Sequence, residues 1–264
     1  MSLDKFQIEQ RLGDLSKELS ITVYKTIDST NTQAKIVAEN EDVKRCIFIT
    51  SEQTAGRGRL GRSFSSNRGK GLYLSILIKE DMPADFATSL TTYMAVIARR
   101  AISSVTDTEP KIKWVNDIYL GGKKLAGILT EGKAKCEGTL AYAVVGIGIN
   151  LFKQEFPEDV KAIATTIEDE CGKTVDVNEL ASLIIKEFFG NLHLVGTTEL
   201  ADEYRAHSFL IGERVNVIKP TATYAATVKG ITDKCELILE LPSGENEILS
   251  TGEVSVRPSG THKK

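Results

Sequence analysis

Paired cysteines are missing from this chain of 264 residues: Cys46, Cys136, Cys171 and Cys235 lie far apart and form no CxxC. Neither a zinc site nor a small disulfide scaffold is signalled. Long apolar runs are missing too, since no stretch approaches the ~18 to 20 residues of a membrane span. The start, Met1-Ser2-Leu3-Asp4-Lys5-Phe6, has no basic n-region followed by an apolar h-region, so no secretory signal is read. Charge of one sign is not in excess either. The 33 Lys+Arg face 36 Asp+Glu, a net charge of −3, which argues against a surface given over to nucleic acid or anionic lipid. There is no internal repeat and no low-complexity tract. What remains is expected to be soluble, reduced and cytoplasmic. Its 41% hydrophobic and 26% charged residues are ordinary for a globular protein. At this length one large domain, alone or with a small companion, is the natural expectation, because single cores stop growing at roughly 250 to 300 residues.

Within residues 1–20, Phe6, Leu12, Leu15 and Leu19 are spaced among charges as on a short amphipathic helix. Ile21 to Tyr24 reads as extended, and Asp28-Ser29-Thr30-Asn31 offers cap oxygens to a helical stretch from Ala34 to Ala38. Strands are predicted at Cys46 to Thr50 and Leu72 to Ile78, joined by a loop rich in Gly, Arg, Ser and Asn. Phe86, Leu90, Tyr93, Met94, Ile97, Ala101 and Val105 mark one long helix over about residues 85–106. Three strands follow, Lys111 to Trp114, Ile118 to Leu120 and Leu125 to Glu131, with Gly121-Gly122 turning the hairpin. Leu140 to Ile149 is a long apolar strand, and a helix carries Leu180, Leu183, Ile184, Ile185 and Phe188. This order excludes a repeating βαβ array and favours a mainly antiparallel α+β sheet. Beyond His207, short strands at Arg214 to Ile218, Tyr224 to Ile231, Glu236 to Leu241 and Glu247 to Leu249 suggest a small β-barrel. The expected division is 1–209 and 210–264.

Gly56-Arg57-Gly58-Arg59-Leu60-Gly61-Arg62 satisfies GxGxxG formally, yet Ser63 to Gly71 is too short and too polar for the crossover helix of a dinucleotide fold. It is a loop between two strands, with three arginines that grip anionic oxygens and three glycines that admit a ligand close to the backbone. Such a loop is also a candidate lid. Lys113-Trp114-Val115-Asn116-Asp117 gathers a cation, an aromatic plate, an amide and a carboxylate at a strand end; alone it could be a charged turn. Lys123-Lys124 could be merely solubilising, and Asp28-Ser29-Thr30-Asn31 merely an N-cap. Gly146 and Gly148 interrupt an apolar strand, which suggests that a ligand or another backbone passes close by.

Taken together and in this order, Asp28-Ser29-Thr30-Asn31, Gln53 with the Gly56 to Arg62 loop, Lys113 to Asp117, Lys124-Leu125-Ala126-Gly127-Ile128-Leu129 and Gly146-Ile147-Gly148-Ile149-Asn150 resemble the biotin protein ligases. The resemblance runs from about Ile21 to the C-terminus. Two positions depart from it: Val115 replaces the usual proline of the Lys-Trp-Pro-Asn-Asp motif, and Phe64 stands near a tryptophan of some members.

The resemblance implies an α+β catalytic domain related to class II aminoacyl-tRNA synthetases, with an SH3-like barrel at its end. It implies a two-step reaction: biotin and ATP give biotinyl-5′-AMP and pyrophosphate, and a lysine of a biotin carboxyl carrier protein then takes the biotinyl group. The implied catalytic residues are Arg59, Lys124 and Lys113. Those for biotin are Ser29, Thr30, Asn31, Gln53, Arg57, Gly58, Arg59, Lys124 and Gly127. Those for the nucleotide are Arg59, Arg62, Phe64, Lys113, Trp114, Asn116, Asp117, Gly148 and Asn150. Magnesium is implied with ATP; its ligands stay open, with Asp117 as the one candidate. No nucleic acid and no membrane partner is expected, and the chain is expected to be a monomer or a homodimer. Some relatives carry a winged helix-turn-helix of roughly 60 residues. Only about 20 residues precede the catalytic pattern here, so a ligase without repressor function is expected. The alternatives are a lipoate or octanoate ligase or transferase of the same fold, and a non-catalytic biotin-binding module.

Overall fold

The computed structural model describes residues 2–136, 138–219, 222–250 and 255–258. The end of the expected second domain, residues 259–264, lies outside the described residues. Helix α1 (Lys5–Leu12) is capped by Asp4, whose carboxylate accepts from Gln7 N, and stops at Gly13, where φ is +61°. The helix expected over residues 1–20 therefore breaks in two, and a 3₁₀ segment, Gly13–Glu18, finishes it. Ile8 and Leu12 face the core, whereas Phe6 is 72% exposed and does not belong to the apolar face.

Strand β1 (Ser20–Tyr24), helix α2 (Thr30–Asn40) and strand β2 (Arg45–Thr50) form one parallel βαβ unit, and β3 (Gly71–Ile78) returns antiparallel to β2. The short β4 (Met82–Pro83) leads into α3 (Ala84–Thr106), which ends at Asp107 in the left-handed region. Then come β5 (Lys111–Lys113), β6 (Asp117–Leu120), β7 (Lys123–Cys136) and β8 (Thr139–Asn150). Gly121 and Gly122, both at positive φ, turn β6 into β7 as the sequence suggests. The sheet runs β1-β2-β3-β8-β7-β6-β5, with β4 on β8. Short helices α4 (Glu158–Lys161) and α5 (Ile167–Cys171) precede α6 (Val177–Gly190) and α7 (Thr198–His207). Strands β9 (Arg214–Ile218), β10 (Thr223–Ile231), β11 (Leu237–Glu240), β12 (Asn246–Leu249) and β13 (Ser255–Pro258) form a second, antiparallel sheet. Among the described residues no helix is long and apolar enough to cross a membrane.

The alternation of side chains along the strands divides the work of the large sheet. On one face Ile47, Ile49, Leu74, Ile76, Val145 and Ile147 pack with Leu90, Tyr93, Met94 and Ile97 of α3 and with Leu180, Ile184 and Phe188 of α6. On the other, Cys46, Phe48, Leu77 and Val144 pack under Ala34, Val37 and Ala38 of α2. Helix α2 covers only part of that second face. Further along the same face the aligned positions are Ser75, Gly146 and Leu129, then Tyr73, Gly148 and Gly127. Small residues in the middle of the sheet leave a trough beside the N-terminus of α2.

Candidate active site

The trough is roofed by the loop that the sequence marks with glycine and arginine. Its two limbs are hydrogen-bonded to each other: Gly58 N donates to Arg62 O at 2.7 Å, Phe64 N to Gly56 O at 3.0 Å and Gln53 N to Ser66 O at 3.3 Å. No crossover helix intervenes, which agrees with the rejection of a dinucleotide fold. Gly56 is required by closeness, because a Cβ there would lie 2.6 Å from Phe64 O. The enclosed cleft is lined by Ser29, Thr30, Asn31, Gln53, Arg57, Gly58, Arg59, Phe64, Asn116, Lys124, Gly127 and Gly148, among others.

One end of the cleft is polar and uncharged. Ser29 caps α2, accepting from Thr32 N, and Thr30 donates from its amide (2.8 Å) and its hydroxyl (3.1 Å) to Gln53 Oε1. Gln53 Nε2 donates to Ser66 Oγ at 3.2 Å. Ser75 Oγ lies within hydrogen-bond distance of Thr30 Oγ1 (2.7 Å) and Asn31 Oδ1 (2.6 Å). Asn31 in turn donates to Leu129 O and to Glu131 Oε2. Gly146 exists for this contact, since a Cβ there would fall 1.9 Å from Asn31 Oδ1.

The other end is cationic. Arg59 donates from NH1 to Asn116 Oδ1 at 3.0 Å, and Asn116 Nδ2 donates to Ile128 O at 2.9 Å. Burial draws the Arg59 guanidinium below its ordinary range and the nearby Asp117 carboxylate opposes this; the group stays charged. Lys124 Nζ sits 2.7 Å from Asp117 Oδ1 and beside Gly127, where a Cβ would be 3.2 Å from it. The phenyl ring of Phe64 lies on Gly148, whose Cβ would be 2.8 Å from Phe64 Cε1, and stands edge-on to Tyr73. With the ring there the cavity holds only about 60 Å³. Ligand pockets run roughly 300–1,000 Å³, and the Phe64 ring fills the space over Gly148 by which this one could be larger.

The fold thus brings together Ser29, Thr30, Asn31, Gln53, Arg57, Gly58, Arg59, Phe64, Asn116, Lys124, Gly127 and Gly148. It does not bring the remaining expected residues to the cleft wall. Arg62 is exposed. Lys113 Nζ is 3.4 Å from Tyr119 Oη and 5.4 Å over that ring. Asn150 donates to Thr165 O at 3.1 Å, bracing the segment after β8. Asp117 is off the cleft wall and acts on the site through its ion pair with Lys124 and its charge near Arg59. Trp114 is buried, donating from Nε1 to Cys235 O at 2.8 Å; it faces the second sheet and not the cleft. The Trp114–Val115 peptide is cis. Two participants escape a reading of the sequence, Ser75 and Glu131. Ser75 is a single polar residue in an apolar strand and Glu131 stands in a mixed polar stretch, and only the strand register sets each beside Asn31.

Comparison with known proteins follows the same lines. Residues 23–150 match the Biotin/lipoate A/B protein ligase family and residues 210–257 the Biotin protein ligase C terminal domain. The bifunctional ligase/repressor BirA of Bacillus spizizenii is 31% identical over 229 residues, covering 85% of this chain and 70% of that protein. A biotin–(acetyl-CoA carboxylase) ligase of Mycobacterium tuberculosis is 30% identical over 93% of this chain and 92% of its own length. The solved biotin protein ligase of Aquifex aeolicus in complex with biotin and ATP superposes with a TM-score of 0.76 at 28% identity, over 91% of this chain and 99% of that one.

Proposed function

The chain belongs to the biotin protein ligase family and is a biotin ligase, and from that premise we propose that it makes biotinyl-5′-AMP from biotin and ATP and passes the biotinyl group to one lysine of a biotin carboxyl carrier domain. The observation that carries this reading is the polarity of the cleft. A neutral hydrogen-bonding end of Ser29, Thr30, Asn31 and Gln53 is joined over a glycine floor to a cationic end of Arg59 and Lys124. Biotin has the same two ends, a neutral ureido ring and a carboxylate. A lipoyl or octanoyl chain has no group for the neutral end and would leave those buried donors and acceptors unmatched, which costs about 1–3 kcal/mol each.

In the first step the biotin carboxylate attacks the α-phosphorus of ATP and pyrophosphate leaves. Arg59 and Lys124 neutralise the charge that builds on the phosphoryl oxygens, and Arg62 is assigned to the departing phosphates. In the second step the carrier lysine attacks the acyl carbon and AMP leaves, with the same two cations on the developing oxyanion. The main chain of residues 57–59 closes over the adenylate and keeps water from it. Asn116 holds Arg59 in place, and Lys113, Trp114 and Asn150 support the nucleotide side from behind the cleft wall.

Magnesium would come with the ATP. Among the described residues no three His, Cys, Asp or Glu side chains converge on one point, and Asp117 is paired with Lys124. That donor set does not fit a protein-held metal. We read the large sheet as related to class II aminoacyl-tRNA synthetases and the second as an SH3-like barrel, with the division at 209/210. Free thiols at all four cysteines agree with a reducing, cytoplasmic setting.

ATP-dependent labelling of a purified biotin carboxyl carrier domain, read on a streptavidin blot, tests the proposal. A labelled band is expected. Binding of lipoate or octanoate without biotin would move the assignment to the rival acyl ligases, and biotin binding without labelling would make the chain a sensor.

A further inference from the structure

Glu131 belongs to none of the motifs, yet it gathers more charge than any other side chain around the cleft. It lies on β7 on the same face as Gly127 and Leu129, with its side chain only 19% exposed. Its carboxylate oxygens accept from Lys35 Nζ at 2.7 Å and Asn31 Nδ2 at 3.0 Å, both on α2, and Oε1 lies 3.2 Å from Arg57 NH2 on the loop. Burial alone would raise its pKa; the hydrogen bonds from Lys35 and Asn31 and the charges of Lys35 and Arg57 outweigh burial and hold it below the ordinary carboxylate range. Lys35 by itself supplies the counter-charge that a half-buried carboxylate needs. The second cation, Arg57, is surplus to that need, and what it adds is a tie between the sheet and the loop.

We infer that Glu131 is a positioning residue that latches the arginine loop: by holding Arg57 on the outer side, it turns the main chain of residues 57–59 and the guanidinium of Arg59 towards the ligand. The inference rests on the reading of the cleft as the biotin and adenylate site. The loop is extended at this point, with Gly58 at φ −120° and ψ 179°, so residues two apart start on the same side. Separate partners are then needed to part them, Glu131 for Arg57 and Asn116 for Arg59. The latch is also joined to the neutral end of the cleft. Asn31 bonds Glu131 through its amide nitrogen, and its oxygen faces Ser75, which reaches Thr30. A ligand group that orders Thr30 and Asn31 therefore steadies the carboxylate that closes the loop.

The test is a double-mutant cycle on Glu131→Gln and Arg57→Met, with Lys35→Met as the control that removes a cation from the same carboxylate without touching the loop. Each of the first two variants should speed dissociation of biotin and biotinyl-5′-AMP by about two- to five-fold, the range of a partly exposed ion pair. The double variant should be no worse than either one, and Lys35→Met should stay near wild type. Adenylation at saturating biotin and ATP should change little in Lys35→Met, which touches neither the loop nor the cleft wall. Additive losses, or a Lys35→Met variant as leaky as Glu131→Gln, would overturn the latch. Trypsin supplies a readout that needs no ligand. The Glu131→Gln chain should be cut faster than wild type after Arg59 and Arg62, and equal rates also overturn the proposal. A wild-type chain that does not bind biotin would sink the functional reading instead, and the trypsin comparison would still decide whether Glu131 closes the loop.

Discussion

Arg59 and Asn116 meet across the cleft: the guanidinium on the loop donates to the amide oxygen at 3.0 Å, while the amide nitrogen of Asn116 is held at 2.9 Å by Ile128 O on β7. A flexible cation is thereby fixed to a rigid strand. Arg59→Gly removes both this tie and the charge on the adenylate. A hydrogen bond to a charged group contributes about 1.5–3 kcal/mol, so the adenylate should leave some 10- to 100-fold faster. Activated biotin would then label bystander lysines. Mass spectrometry of a mixture of carrier domain and an unrelated protein checks this, and unchanged selectivity would count against the role given to Arg59.

Lys124 should matter to chemistry far more than to folding. Its ion pair with Asp117 is partly solvated, 28% and 20% exposed, and such pairs add about 1 kcal/mol at most. Loss of a fixed donor to developing charge costs about 10²–10³ in rate. Lys124→Ala should slow pyrophosphate release by that factor with nearly unchanged denaturant unfolding. Lys123→Ala, one residue away and exposed, should keep full rate. A stable and fully active Lys124→Ala enzyme sinks the catalytic role.

The two glycines of β8 should respond differently to the same added methyl group. At Gly146 the new carbon would meet Asn31 Oδ1, which Ser75 and Glu131 hold in place. Overpacking of that kind costs about 1–3 kcal/mol, a drop of about 2–4 °C in Tm for each kcal/mol. At Gly148 it would meet the Phe64 ring, the movable end of a loop side chain. Gly148→Ala should therefore keep its Tm and raise KM for biotin. Thermal melts beside steady-state kinetics separate the pair; a melt lowered equally in both would show that Phe64 is as fixed as Asn31.

Local chemistry was legible in the sequence. The capping oxygens at Asp28 to Asn31, the positive φ of Gly121 and Gly122, and the 3.6-residue rhythm from Phe86 to Val105 each depend on near neighbours, and each stands where expected. The rejection of a dinucleotide loop also rested on local facts. What stayed hidden depends on register and distance. Glu131 meets Asn31 and Lys35 across 100 and 96 residues of chain. Only the pairing of Glu131 with Val144 and of Leu129 with Gly146 sets it on the face where α2 begins. The aromatic plate of the Lys113 to Asp117 motif looked like a wall for a ligand because nothing near it reveals a partner 121 residues on. Phe6 failed for the opposite reason: its spacing was right, but Gly13 ended the helix before a longer apolar stripe could form.

The Trp114 indole donates its one hydrogen bond to the main-chain oxygen of Cys235, a residue at φ +59°. What the first sheet asks of the second is thus a turn of a certain shape and not a particular side chain. Such a dependence leaves no signature in amino-acid choice: position 235 can drift among residues that tolerate that backbone while the support to the Asn116 and Asp117 turn persists. A search for residues that tie the two sheets together, made by comparing letters, would find the apolar side chains they share and pass over this main-chain oxygen.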